Sequence, residues 1–124
     1  MEQENELSNI ILDCAYKVHS KLGPGLLENV YKKCLAHELS KRGLNVVVEK
    51  PYPVVYDSIK MECGYRVDII VNNIVIIELK VVEDFSKEHI AQCLTYLRLS
   101  NCKLALLLNF YKCSLKDGIK RVIL

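Results

Sequence analysis

Three charged residues interrupt two stretches that otherwise read as core strand. Asp68 stands among Val67, Ile69, Ile70 and Val71, and Glu78 and Lys80 break the run Ile76-Ile77-Glu78-Leu79-Lys80-Val81. Aspartate is a poor strand former and an unpaired buried charge is costly, so packing alone has no use for these side chains there. Two residues apart on a strand, Glu78 and Lys80 project from one face. Carboxylates at such spacing suit a hard divalent cation, Mg²⁺ or Mn²⁺, which binds through carboxylate oxygens and keeps several waters. Such an ion neutralises phosphodiester charge and acidifies water, while a lysine beside it assists the attacking water or stabilises charge on the phosphorane. The main-chain carbonyl of Leu79, lying between the two side chains, is a further candidate ligand. The bland alternative is a salt bridge between Glu78 and Lys80 where the strand leaves the core.

A fourth acidic residue comes from elsewhere in the chain. Positions 28, 31, 35 and 39 fall on one narrow helical stripe, and they carry Glu28, Tyr31, Leu35 and Leu39. A carboxylate heading an aromatic and aliphatic stripe should point toward the core rather than to water. Helix N-terminal placement, where an acid stabilises the dipole, is compatible with this and is the alternative. Further on, His89, Gln92, Tyr96 and Leu99 form one stripe, beside a plainly apolar stripe of Ile90, Leu94 and Leu97. Gln92 and Tyr96 suit either neighbours of the acidic site or a surface stripe, and His89 suits a supporting role or a structural one.

The elements that must position these residues follow from periodicity. Leu7, Ile10, Ile11, Cys14 and Val18 predict an amphipathic helix to about Leu22, broken by Gly23-Pro24-Gly25. A second helix is expected from about Leu26 to Lys41, ending at Gly43. Short strands are expected at Asn45 to Glu49 and Val54 to Tyr56, then longer ones at Tyr65 to Val71 and Ile74 to Val82, with Asn72-Asn73 as the turn. The Ile and Val content of the longer pair indicates a sheet buried on both faces. A helix from Ser86 to about Leu99 and strands at Lys103 to Asn109 and Ile119 to Leu124 complete the chain. The resulting class is α/β (α+β): a small mixed sheet flanked by helices.

One geometric condition is attached to the acidic set. A strict two-residue turn at Asn72-Asn73 would pair Val71 with Ile74 and Asp68 with Ile77, sending Glu78 and Lys80 to the opposite face from Asp68. A shared site therefore requires an odd-length loop or a β-bulge between Asp68 and Glu78.

Composition bounds the rest. A chain of 124 residues, half of them hydrophobic, is expected to form one domain. No apolar window is long enough to span a bilayer, and Met1 to Glu6 lacks the features of a signal peptide, so a cytoplasmic location with no membrane association is expected. The six cysteines show no C-x-x-C pair or zinc spacing and read as reduced structural thiols. A net charge of +2 permits nucleic-acid binding without arguing for it. The basic groups Lys32-Lys33, Lys41-Arg42 and Lys116 with Lys120-Arg121 read as solvated faces.

The stretch Gly25-Leu26-Leu27-Glu28-Asn29-Val30-Tyr31 resembles the signature of the small GxxExxY proteins. The resemblance continues through Gly64 to Asp68, Ile77 to Lys80, His89 to Tyr96, Leu106 to Phe110 and Lys116 to Arg121, covering nearly the whole chain. That family is similar to the PD-(D/E)XK nuclease superfamily. The resemblance implies a restriction-endonuclease-like core, a single nuclease-like domain over residues 1–124, and a Mg²⁺-dependent nuclease acting on DNA, with RNA as the alternative substrate. It makes Glu28 the helical acid, Asp68 and Glu78 the metal carboxylates, Lys80 their paired lysine, and Gln92 with Tyr96 a glutamine-tyrosine motif. Val67 stands where proline is usual and Ala105 where glycine is common, but no acidic or lysine position is lost. A non-catalytic nucleic-acid-binding or assembly module is the competing reading. The weak positive charge leads either reading to expect a homodimer or partner protein completing the substrate groove.

Overall fold

The computed structural model describes residues 1–124. Two helices, α1 (Glu2–Leu22) and α2 (Glu28–Lys41), precede strands β1 (Val46–Pro51), β2 (Val54–Tyr56), β3 (Ile59–Met61), β4 (Arg66–Val71) and β5 (Val75–Lys80). Helix α3 (Lys87–Ser100), strand β6 (Leu104–Asn109), a short 3₁₀ helix (Leu115–Gly118) and strand β7 (Ile119–Ile123) follow. β1, β4, β5, β6 and β7 form one sheet in that order, and β2 with β3 forms a separate ribbon. Only the β5–β6 pair is parallel, and α3 supplies the crossover that a parallel pair needs. This is the expected mixed sheet flanked by helices, consistent with a restriction-endonuclease-like core.

Both sheet faces are covered. α1 and α2 pack Ile11, Tyr31 and Leu35 on one face against Ile69, Ile77 and Leu106. α3 packs Cys93 and Leu97 on the other, against Ile70, Ile76 and Leu107. Every residue of β6 is buried, and so is every residue of β5 except Lys80, which explains why these strands lack a polar face. No helix is long and apolar enough to cross a membrane. All six cysteines are free thiols, and Cys14, Cys93 and Cys102 are buried.

The structure corrects the sequence reading at three places. α1 begins at Glu2 rather than Leu7, with Glu2 and Glu4 in its first turn, where acids favour the helix dipole. Pro51 lies within β1, which is an edge strand and can spare the N–H. β3 was not expected, because Ile59-Lys60-Met61 is exposed throughout and shows no alternation to betray it.

The end of the sheet nearest the acidic residues is held by a buried amide. Asn109 donates from Nδ2 to the Val82 carbonyl at 2.7 Å, and its Oδ1 accepts from the Val82 and Tyr111 N–H groups at 3.2 Å each. Gly118 packs directly on this residue; a Cβ there would collide with the Asn109 carbonyl oxygen.

Candidate functional site

The β4–β5 hairpin fulfils the register condition. Val71 pairs with Val75, so Asn72, Asn73 and Ile74 make a three-residue loop. Both asparagines are left-handed (φ 54° and 55°), a conformation asparagine tolerates better than most residues, and the Ile74 N–H donates to the Val71 carbonyl at 2.9 Å. Counting back, Asp68 falls opposite Glu78. The ladder itself stops one pair earlier, at Ile69 and Ile77. Side chains take over beyond that point: the Asp68 N–H donates to Glu78 Oε2 at 2.7 Å, and the Leu79 N–H donates to Asp68 Oδ2 at 2.9 Å.

α2 brings the helical acid to the same place. Glu28, at its first position, is half-buried and close enough to Asp68, Lys80 and Lys32 to feel the charge of each. Tyr31 fixes the entry of this helix rather than touching the carboxylates. Its hydroxyl donates to the Gly23 carbonyl at 2.5 Å and accepts from the Leu26 N–H at 3.1 Å, and its ring stacks on Phe110 at 4.6 Å.

α3 faces the cluster from the other side. Lys80 makes no ion pair with Glu78; its Nζ donates to Gln92 Oε1 at 3.2 Å, and Gln92 Nε2 donates to the Tyr96 hydroxyl at 3.4 Å. Gln92 and Tyr96 thus join the site and are not a surface stripe. His89 does not join it. Its Nδ1 accepts from the Ser86 N–H at 3.0 Å while its own N–H donates to Ser86 Oγ at 3.2 Å, which makes a capping box at the start of α3.

Two further residues of the cluster, Lys32 and Glu49, do not stand out in the sequence. Lys32 is only 8% exposed, and its Nζ lies 3.4 Å from Glu49 Oε1 and 3.9 Å from Asp68 Oδ1. Its position four residues after Glu28 puts it on the same helix face, which is the signal that was available. Glu49 falls opposite Asp68 on the other neighbouring strand, at the one position where the β1–β4 ladder skips a pair, and its φ is 53°. Asp68 is thus flanked across the sheet by Glu49 and Glu78.

The crowding of acids sets the electrostatics. Burial, followed by the charge of Asp68, pushes the Glu78 carboxyl up to about 8, and Glu78 is 2% exposed. Burial raises Asp68 as well, against the opposing pull of the Leu79 N–H, Lys32 and Lys80. Burial and then Asp68 raise Glu28. Burial drives the nearby Cys93 thiol up to about 12, so it stays protonated beside the carboxylates.

No three acidic, histidine or cysteine side chains close into a metal cluster. The donor set nevertheless fits a hard cation that keeps most of its waters and needs one or two carboxylates. The reciprocal bonds occupy one oxygen of each acid and leave Asp68 Oδ1 and Glu78 Oε1 without a hydrogen-bond donor, while Asp68 disfavours the charge on Glu78 and Glu49 disfavours that on Asp68.

A family description of the PD-(D/E)XK nuclease superfamily matches residues 5–122. The chain belongs to that superfamily. Among curated proteins nothing matches the chain. Asp68, Glu78, Leu79 and Lys80 of the PD-(D/E)XK chain all lie within the matched residues.

Proposed function

We propose that the chain is a GxxExxY-type PD-(D/E)XK nuclease, one domain over residues 1–124, that hydrolyses phosphodiester bonds of DNA, with RNA as the alternative substrate. Asp68 and Glu78 hold Mg²⁺ or Mn²⁺, aided by Glu28, directly or through water, and by the Leu79 carbonyl. When bound, the cation neutralises phosphodiester charge and lowers the pKa of water in the site. Lys80 assists the attacking water, with Gln92 and Tyr96 setting the place of its ammonium. Tyr31 keeps Glu28 at the mouth of the site by anchoring the loop before α2. The observation that carries this reading is the opposition of Asp68 and Glu78 beside Lys80, an arrangement whose excess negative charge a divalent cation would relieve.

A substrate groove completed by a homodimer or a partner protein belongs to the same proposal. It is favoured by the modest net charge and by Val55, Tyr56 and Ile59, which stand exposed on the β2–β3 ribbon. Six unpaired thiols suit a reducing, cytoplasmic compartment.

The reciprocal hydrogen bonds favour one other reading. Both acids already have a structural use, stitching β4 to β5, so a non-catalytic nucleic-acid-binding module could retain them. Calorimetric titration of the full chain with Mg²⁺, repeated for Asp68→Asn and paired with a cleavage assay on DNA and RNA, separates the readings, uptake without cleavage favouring the module. Uptake and cleavage that the variant both loses support the nuclease, and no uptake by the intact chain refutes it.

A further inference from the structure

Asp68 offers a cation only one oxygen that is free of hydrogen bonds, Oδ1, because the Leu79 N–H occupies Oδ2. That oxygen already faces an ammonium: Lys32 Nζ lies 3.9 Å from it. Lys32 is nearly buried, but its four-carbon stem is flexible and its charge is a compact point. The same nitrogen donates a hydrogen bond to Glu49 Oε1 at 3.4 Å, and the Glu49 side chain is 55% exposed. The backbone departs from regular strand geometry to make this possible. Glu49 takes a left-handed conformation (φ 53°) where the β1–β4 ladder omits the pair opposite Asp68. Such a conformation is uncommon for a non-glycine residue, and when surrounding structure imposes it, it often marks a functional position.

We propose that Lys32 is a built-in competitor for the divalent cation at Asp68, and that Glu49, which already accepts its hydrogen bond, holds its ammonium when the cation binds. The proposal rests on the metal-binding reading given above and adds a means of setting its affinity. Without metal, Lys32 partly neutralises Asp68 and keeps the acidic cluster tolerable. With every group ionised, four carboxylates (Glu28, Glu49, Asp68, Glu78) face two ammonium groups (Lys32, Lys80), a shortfall of the two positive charges that one divalent cation supplies. With a cation held by Asp68, Lys32 would give up its share in that carboxylate and keep its bond to Glu49. Affinity is thereby lowered, and the site fills only where the free cation is plentiful.

The test is calorimetric titration of the full chain with Mg²⁺ at fixed ionic strength, in wild type, Lys32→Met, Glu49→Gln and the double variant. Methionine keeps the apolar stem and removes the charge. Lys32→Met is expected to bind about ten-fold more tightly, from loss of one nearby positive charge. Glu49→Gln is expected to bind a few-fold more weakly, because Lys32 falls back on Asp68. The double variant should match Lys32→Met, since Glu49 acts through Lys32. Lys32→Arg, which keeps the charge, should stay near wild type. Equal or weaker binding by Lys32→Met overturns the proposal while leaving the metal site standing. So does a Glu49→Gln effect that persists in full in the Lys32→Met background, or, with Lys32 intact, Glu49→Gln that binds no more weakly than wild type. Wild type that takes up no Mg²⁺ overturns both the proposal and the metal reading beneath it.

Discussion

Asp68 and Glu78 hold each other's strands: the Asp68 N–H bonds to the Glu78 carboxylate at 2.7 Å, and the Asp68 carboxylate accepts the N–H of Leu79 at 2.9 Å. Backbone pairing between β4 and β5 has ended by then, so the two acids continue with side chains what the ladder does with carbonyls. The same bonds fix the orientation of both carboxylates before any ligand arrives, which is what a preorganised site requires.

The first consequence is a pH dependence of stability. Folded Glu78 has its carboxyl pushed up to about 8 from an ordinary 4.5, chiefly by burial and then by Asp68. Over that interval the folded chain keeps a proton that the unfolded chain has lost. In EDTA, stability should therefore fall as pH rises from about 4.5 to about 8 and level off above. Glu78→Gln, which retains an acceptor for the Asp68 N–H, should flatten the curve and be the more stable protein above pH 8. Urea unfolding at intervals from pH 5 to pH 9 reads this directly. A wild-type curve that is flat over that range contradicts it.

A second prediction separates two residues that share a sequence stripe. His89→Ala removes the acceptor of the Ser86 N–H in the α3 capping box and should cost about 0.5–1 kcal/mol of stability, with cleavage unchanged. Gln92→Leu releases the Lys80 ammonium and should slow cleavage at least about ten-fold, since a misplaced catalytic group loses rate steeply. Thermal melts paired with single-turnover cleavage distinguish them. A large loss of turnover in His89→Ala would return it to the site.

The loop before α2 offers a third. Tyr31→Phe removes two hydrogen bonds, to the Gly23 carbonyl and from the Leu26 N–H, while keeping the stack on Phe110. Stability should drop by about 1–2 kcal/mol. Urea denaturation with an unchanged slope would show the loss, and an unaltered midpoint would deny the anchor.

How far the sequence leads is visible in particular residues. The strands were legible because β5 and β6 are buried on both faces and must be apolar, which made Asp68, Glu78 and Lys80 conspicuous. The turn was legible through its two asparagines, and the demand that Asp68 and Glu78 share a face implied an odd loop, which Ile74 completes. Lys32 and Glu49 were hidden for a different reason. A lysine beside another lysine on a helix reads as solvated, and only tertiary contact with β1 and β4 buries it. His89 was ambiguous because a helix stripe gives direction but not depth, and one turn decides between cap and site. The β3 strand left no trace because an exposed ribbon needs no hydrophobic pattern.

The central claim is that Asp68, Glu78 and Lys80 form a metal-dependent phosphodiesterase centre. The most direct measurement is cleavage of single- and double-stranded DNA and RNA as Mg²⁺ or Mn²⁺ is raised, for wild type, Asp68→Asn and Lys80→Ala. The expected result is cation-dependent cleavage of at least one substrate by wild type. Asp68→Asn should lose both cation uptake and cleavage. Lys80→Ala should keep uptake but slow cleavage by about 10² to 10⁴. Wild type that takes up the cation yet cuts none of these substrates, or cleavage unaffected by Lys80→Ala, would contradict it.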